Sequence, residues 1–325
     1  MSILVFMSDN RTLQTVREKA DYNSLVASIN YEYCKKYNYD FVYYRPYLNN
    51  KEIININNCI DKNTHTPRHA AWSKLLSTNL ALELNYDYVI YIDSDCIFKD
   101  FNKSLDHVIK LCSDKDIVFT NNKPWCDNLP CSGFYMCKVN ENTKHFLQHW
   151  YNKNWLGEHN KDHPWEQHIL WKILNEYNNI ALYDTMMFYE EEGQFLRHVG
   201  NCDLDGGGAN RIPYFTNFIN INNINYEKNI GEIKCVDFNT NAENIFFINY
   251  PITNKSYSWA THDTITFLDC NEMNAFGWGY YHKIDDYTFN AFFGGWNHIL
   301  IFNSDYTEFM ATRCGDNATA KGRLL

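Results

Sequence analysis

The apolar positions in the first two hundred residues alternate between two rhythms. Residues 3–7 and 40–44 are short β-branched or aromatic runs, the pattern of strands. Between them, Leu25, Ile29 and Tyr33 recur four apart within 21–37, which predicts a helix. Strand, helix, strand in that order predicts a parallel sheet covered by helices. The polar stretch 49–66 predicts a loop, and Pro67 opens a predicted helix running to 84, since proline suits a first helical turn. Further helices are predicted over 105–112 and 142–151, and another from a cap at Asp162 or His163 with Pro164 in its first turn. Strands are predicted over 116–120, 131–137 and 182–189.

The sharpest break is Asp205-Gly206-Gly207-Gly208. Beyond it, 219–230 is rich in asparagine and reads as a linker. Short alternating or aromatic runs follow at 245–248, 264–268, 287–293, 298–302 and 306–311, separated by turn residues such as Gly294-Gly295. That spacing predicts a small antiparallel β domain. The expected division is an α/β domain over 1–215, a linker over 216–231 and a β-rich domain over 232–325.

One stretch stands out, Tyr88-Val89-Ile90-Tyr91-Ile92-Asp93-Ser94-Asp95-Cys96-Ile97-Phe98. It predicts a buried strand carrying two carboxylates one residue apart. Side chains at i and i+2 on a strand share a face, so Asp93 and Asp95 are expected to converge at its C-terminal end, where open α/β sheets bind ligands. Carboxylate oxygens are hard ligands suited to Mg²⁺ or Mn²⁺. A polar turn after a core strand is the plain alternative. No GxGxxG or GxxxxGK[ST] follows the first strand, which disfavours a dinucleotide or P-loop site.

Composition narrows the classes. A net charge of −10 with no basic stripe argues against nucleic acid as the main partner. No apolar stretch approaches the ~20 residues that span a bilayer. The 11 cysteines form no CxxC and sit mostly in apolar runs, so they read as reduced core thiols and suggest a cytoplasmic setting. His159, His163 and His168 match no standard zinc spacing.

The order of several short motifs is more specific than any one of them. Arg68-His69-Ala70-Ala71-Trp72-Ser73-Lys74 precedes Tyr91-Ile92-Asp93-Ser94-Asp95. Ser132-Gly133 follows, then Trp165-Glu166-Gln167, then His198-Val199-Gly200. Over residues 1 to 205 this resembles the metal-dependent GT-A glycosyltransferases. It is most similar to the family containing yeast α-1,2-galactosyltransferase, Golgi α-mannosyltransferases and plant xyloglucan xylosyltransferases. The resemblance implies a Rossmann-like mixed sheet flanked by helices. It implies that Asp95 and His198 bind Mn²⁺, and that Asp93 contacts the metal, the ribose or both. Lys74 and Arg68 would line the nucleotide, although solvated surface charge is the usual fate of such residues. Ser132 and Gly133 would border the donor sugar, with Cys131 standing where the family carries asparagine. Gly200 belongs to the same late motif, and Ser8 and Arg11 are placed near the base and ribose by position alone.

Glu166 and Gln167 match a family segment near the reacting sugar. A carboxylate there can bind sugar hydroxyls and an amide can face an oxocarbenium-like centre; equally, Glu166 can serve only the helix dipole. Cleaving a sugar–diphosphate bond puts charge on the departing phosphate, which a divalent cation offsets. The expected activity is transfer of a hexose or pentose from a nucleoside-diphosphate sugar, UDP favoured over GDP, to a hydroxyl of a glycan or glycoprotein. The resemblance also implies retention at the anomeric carbon. Two rivals remain: a non-catalytic nucleotide-sugar or glycan-binding protein, and a metal-dependent nucleotidyltransferase. In the C-terminal part, Trp278, Tyr280, Tyr281 and Trp296 read either as core or as sugar-stacking surface.

Overall fold

The computed structural model describes residues 1–47, 59–60, 67–112, 114–121, 129–152, 159–174, 177, 180–183, 194–199, 211–240, 251–259, 263–268, 272–275, 278–283 and 287–325. They form two compact units, Met1–Ile245 and Phe246–Leu325.

The first unit opens with β1 (Ile3–Ser8), α1 (Tyr22–Tyr37) and β2 (Asp40–Tyr47), the predicted βαβ unit. Next come the two-residue strands β3 (Cys59–Ile60) and β4 (Pro67–Arg68), then α2 (Ser73–Leu82), β5 (Tyr88–Ile92), β6 (Cys96–Phe98) and α3 (Leu105–Leu111). The chain continues with β7 (Ile117–Asn121), β8 (Pro130–Lys138), α4 (Glu141–Asn152), α5 (Glu166–Ile173), β9 (Ile180–Tyr183) and β10 (Leu196–His198). It closes with α6 (Arg211–Ile221), α7 (Tyr226–Glu232) and β11 (Lys234–Asn239).

Seven strands form one mixed sheet in the order β11-β2-β1-β5-β8-β7-β9. Only β8 runs against its neighbours. From β1 the chain steps to β2 on one side, and β5 lies on the other. Such a reversal opens a crevice at the carboxyl ends of the two central strands. Because β8 is antiparallel, its first residues meet the end of β5, with Ile92 opposite Phe134. The central strands are near-continuous apolar runs, as a sheet covered on both faces requires.

Three expectations change. Pro67 begins a strand and not a helix: Pro67–Arg68 pairs with Cys59–Ile60, a 3-10 turn covers Ala70–Trp72, and the α-helix starts at Ser73. The helix expected from Asp162 or His163 starts at Glu166, behind Trp165, whose φ is positive at 51°. The linker expected over 216–231 is occupied by α6 and α7, whose buried Phe215, Ile219, Tyr226 and Ile230 belong to the first unit's core. Residues 234–239 then add β11 in parallel to β2, so asparagine-rich text here covers amphipathic helices. The Gly206–Gly208 break, Gly200 and the run at 245–248 lie outside the described residues.

The second unit is a closed antiparallel barrel. Its strands are β12 (Lys255–Trp259), β13 (Asp263–Phe267), β14 (Glu272–Asn274), β15 (Trp278–Lys283), β16 (Thr288–Phe293), β17 (Trp296–Phe302), β18 (Glu308–Arg313) and β19 (Thr319–Leu324). β19 pairs back onto β12, with Tyr257 opposite Leu324, so no sheet edge is left open. Alternation sends Phe289, Ala291 and Phe293 inward from β16, joining Tyr257, Phe267, Tyr281, Phe302 and Phe309 in one aromatic core.

Candidate active site

The acidic pair sits just beyond β5. The backbone turns there, with the Cys96 amide donating to the Asp93 carbonyl at 3.0 Å. The two carboxylates therefore converge through a turn and not through strand alternation. β6 follows the turn and pairs antiparallel with β10, placing His198 opposite Cys96. The Val199 amide donates to the Asp95 carbonyl at 2.9 Å. One ligand atom each from Asp93, Asp95 and His198 lies within 4.8 Å of the others, a group that could hold a metal ion.

This ribbon is pinned from below by α1. The Asn30 side chain donates to the Cys96 carbonyl at 2.9 Å and accepts from the Phe98 amide at 3.1 Å. Tyr33 stacks on Phe98 at 3.9 Å between ring centres and meets Phe195 edge-on. Aromatic pairs of this kind contribute about 0.5–1.5 kcal/mol each beyond burial.

Gly133 explains how the three groups can approach. A Cβ there would lie 3.1 Å from Asp93 Oδ2 and 3.1 Å from His198 Cε1. Only a residue without a side chain lets β8 pass so close. Two carboxylates and an imidazole around such a cradle suit Mn²⁺, which accepts mixed oxygen and nitrogen ligands.

Asp95 is flanked by cations. His198 Nε2 lies 3.0 Å from Oδ1, and Arg211 Nη2 lies 3.0 Å from Oδ2. Burial works to raise the Asp95 carboxyl, but His198, Arg211 and Lys74 outweigh it and hold the pKa at about 2. Burial opposes charge on His198 too, yet Asp95 pushes its pKa well above the ordinary imidazole value. Asp93 accepts a hydrogen bond from the Tyr91 hydroxyl.

Lys74 projects from α2 into a closed set of acceptors. Its Nζ lies 3.2 Å from Asp93 Oδ1 and 3.0 Å from Glu166 Oε1. It also donates to the Ser132 carbonyl at 3.3 Å. Burial disfavours the ammonium, and the two carboxylates more than restore it. The residue is buried, so its charge serves the site's own carboxylates. Ser132 Oγ donates to Glu166 Oε1 at 2.8 Å, and the Ser132 amide donates to Gln167 Oε1 at 2.7 Å. Glu166 Oε2 is buried with no hydrogen-bond partner. Gln167 Nε2 donates to no described residue.

The first turn of α5 is held by tryptophans. The Trp150 indole donates to the Glu166 carbonyl at 2.7 Å, and Trp165 stacks flat on His69 at 3.7 Å. At the end of β1, Ser8 Oγ is 3.4 Å from Ser73 Oγ. Arg11 pairs with Asp9, sits 4.2 Å over the Tyr22 ring and reaches Ser94 Oγ at 3.3 Å.

Asp93, Asp95, His198, Lys74, Ser132, Gly133, Glu166 and Gln167 thus come together, and Arg11 reaches the turn between the two aspartates. Arg68 serves elsewhere. Its guanidinium is buried between the rings of Trp72 at 4.3 Å and Tyr151 at 4.1 Å, donating to the Tyr151 carbonyl. Sequence reading missed Arg211, Tyr91 and Asn30. Arg211 belongs to no spacing motif, and Asn30 is one of two asparagines on a helix whose buried face is part polar.

No family model and no curated protein matches the chain. Solved structures similar to it include a glycosyltransferase involved in glycosylation of the major capsid of PBCV-1, at 16% identity and TM-score 0.47, covering 66% of this chain and 99% of that one. Another is the glycosyltransferase GlyE of Streptococcus pneumoniae TIGR4, at 10% identity and TM-score 0.40, covering 69% and 64%. A third is the galactosyltransferase LgtC in complex with donor and acceptor sugar analogs, at 10% identity and TM-score 0.38, covering 73% and 97%. Among the described residues no helix is long and apolar enough to cross a membrane.

Proposed function

We propose that the first unit is a metal-dependent, retaining glycosyltransferase. It moves a hexose or pentose from a nucleoside-diphosphate sugar, UDP favoured over GDP, to a glycan hydroxyl. The observation that carries this reading is the convergence of Asp93, Asp95 and His198 at the crevice beside β5, with Ser132, Glu166 and Gln167 across Gly133. Bound there, a divalent cation would offset the charge that develops on the departing diphosphate.

The chain's own residues do the rest. Lys74 fixes the Asp93 and Glu166 carboxylates, so both are oriented before substrate arrives. Glu166 Oε2, buried and without a partner, is the acceptor for a donor-sugar hydroxyl. Gln167 is held through its carbonyl by the Ser132 amide, which leaves its NH₂ for the sugar or the acceptor. No aspartate or glutamate is placed as a separate nucleophile in this set. A retaining reaction would then proceed by front-face attack, with the departing phosphate taking the acceptor proton.

The test is a panel of UDP- and GDP-sugars with and without Mn²⁺, read as donor hydrolysis and as thermal stabilisation. Mn²⁺-dependent hydrolysis of one UDP-sugar, lost in Asp95→Asn, is expected. Stabilisation by glycans but by no nucleotide would make the chain a binding protein. Consumption of a nucleoside triphosphate in place of a sugar nucleotide would make it a nucleotidyltransferase.

A further inference from the structure

Arg211 is the first residue of α6, and its position is firm. α6 packs on α1 through buried Phe215 and Ile219, and Arg17 of the first unit reaches back to the Thr216 carbonyl at 3.1 Å and Asn220 Oδ1 at 2.6 Å. From this mount the guanidinium crosses the Tyr22 ring, 4.9 Å from its centre. It then meets Asp95 Oδ2 at 3.0 Å. The side chain is 9% exposed. Asp95 is its only ion-pair partner among the described residues, and its Nε is buried with no hydrogen-bond partner at all. A guanidinium offers five donors, and among the described residues this one meets Asp95 and the Tyr22 ring alone, which is costly for a buried cation.

Arg211 therefore does two things to an incoming ligand. It already neutralises the carboxylate that a divalent cation would use, so cation and guanidinium compete for Asp95. Its Nε is also a spare donor, on a guanidinium placed over Tyr22 together with that of Arg11. We infer that Arg211 is a built-in counter-cation that resists a divalent cation arriving alone and welcomes one that arrives with a diphosphate. A cation on Asp95 displaces the guanidinium. The displaced positive charge is then offset only by an anionic ligand, whose oxygens accept from the freed donors. Metal and diphosphate each raise the affinity of the site for the other, and part of that coupling passes through one side chain.

This rests on reading the crevice as a cation-dependent nucleoside-diphosphate site, and the experiment separates the two. Mn²⁺ binding is followed by the electron paramagnetic resonance of free Mn²⁺, with and without UDP, in the wild type, Arg211→Gln and Arg211→Lys. Arg211→Gln is expected to bind Mn²⁺ alone about tenfold more tightly, and the factor by which UDP strengthens Mn²⁺ binding is expected to fall about tenfold, within the usual span of coupling between sites. Arg211→Lys keeps the charge and is expected to stay near the wild type on both counts. Unchanged or weaker Mn²⁺ binding in a folded Arg211→Gln, or an unchanged coupling factor, overturns the inference and leaves the function standing. Absence of Mn²⁺ binding in all three proteins, with and without UDP, overturns the function and the inference together. Circular dichroism of each variant checks the fold, and if Arg211→Gln does not fold, Arg211→Met takes its place.

Discussion

The two units bury their side chains for different purposes. In the barrel, the buried polar or charged residues amount to His298 alone among the described residues, and the interior is otherwise apolar and half aromatic. In the first unit, Lys74, Glu166, Arg68 and Arg211 are all buried, three of them at the mouth of one crevice. Apolar burial contributes about 25 cal/mol per Å² whatever the partner. Buried charge contributes only while its partner is present. The barrel is thus built to persist, and the crevice to hold a geometry that is stable only as a set.

The largest expected effect tests the crevice half of this contrast. Lys74→Met leaves Glu166 buried and unpaired, which costs about 3–5 kcal/mol when one partner of a buried pair is removed. The double variant Lys74→Met/Glu166→Gln should regain part of that loss, because the deeply buried charge is then gone and only the more exposed Asp93 carboxylate lacks the lysine, while donor turnover stays absent. Urea unfolding of the single and double variants checks this. A double variant as unstable as the single one would show that the lysine's hydrogen bonds to Ser132, and not charge pairing, hold the crevice.

Asn30→Leu comes next. It removes no charge but takes one hydrogen bond each from the Cys96 carbonyl and the Phe98 amide, at up to about 1–3 kcal/mol for a buried group so deprived. Because β6 leads directly from Asp95, a loss of Mn²⁺ affinity should accompany the loss of stability. Stability lost with Mn²⁺ affinity intact would detach the ribbon's anchoring from the metal site.

These residues also mark what could be read from the chain. The acidic pair, Lys74, Ser132-Gly133, Glu166-Gln167 and His198 lie in ordered local motifs, and the βαβ opening and the β-rich C-terminus follow from periodicity. Arg211 and Asn30 act across long sequence separations, one from a helix that polar composition disguised as linker. The turn that joins Asp93 to Asp95 shows the same limit: the two carboxylates do converge, but through a turn and not through strand alternation. Arg68 failed in the opposite direction. It shares a motif with Lys74, but Trp72 and Tyr151 offer its guanidinium two ring faces in the interior, and that packing decides its place.

In the barrel, Gly322→Ala probes packing without charge. A Cβ at Gly322 would lie 2.1 Å from Phe309 Cε1 on the paired strand, so the ring must shift. Overpacking of this kind costs about 1–3 kcal/mol. Gly322→Ala combined with Phe309→Leu should recover part of the loss, since the smaller side chain vacates the space the methyl needs. Unfolding followed by near-ultraviolet circular dichroism reports on the aromatic core directly.

The smallest effect is expected at Trp296, and it separates the two readings of the C-terminal aromatics. Tyr281 lies in the core at 1% exposure, while Trp296 is 49% exposed beneath Arg313, whose guanidinium carbon is 5.0 Å from its ring. Trp296→Ala should change barrel stability by no more than the ~0.5–1 kcal/mol of an exposed cation–π contact. Tyr281→Ala should cost several times that, because it empties a packed interior. A large loss on Trp296→Ala would mean that the barrel depends on its outer face as well as its core, and the contrast between a persistent barrel and a conditional crevice would narrow. A small one leaves Trp296 as an aromatic that the fold does not need, on a unit whose stability is otherwise set inside.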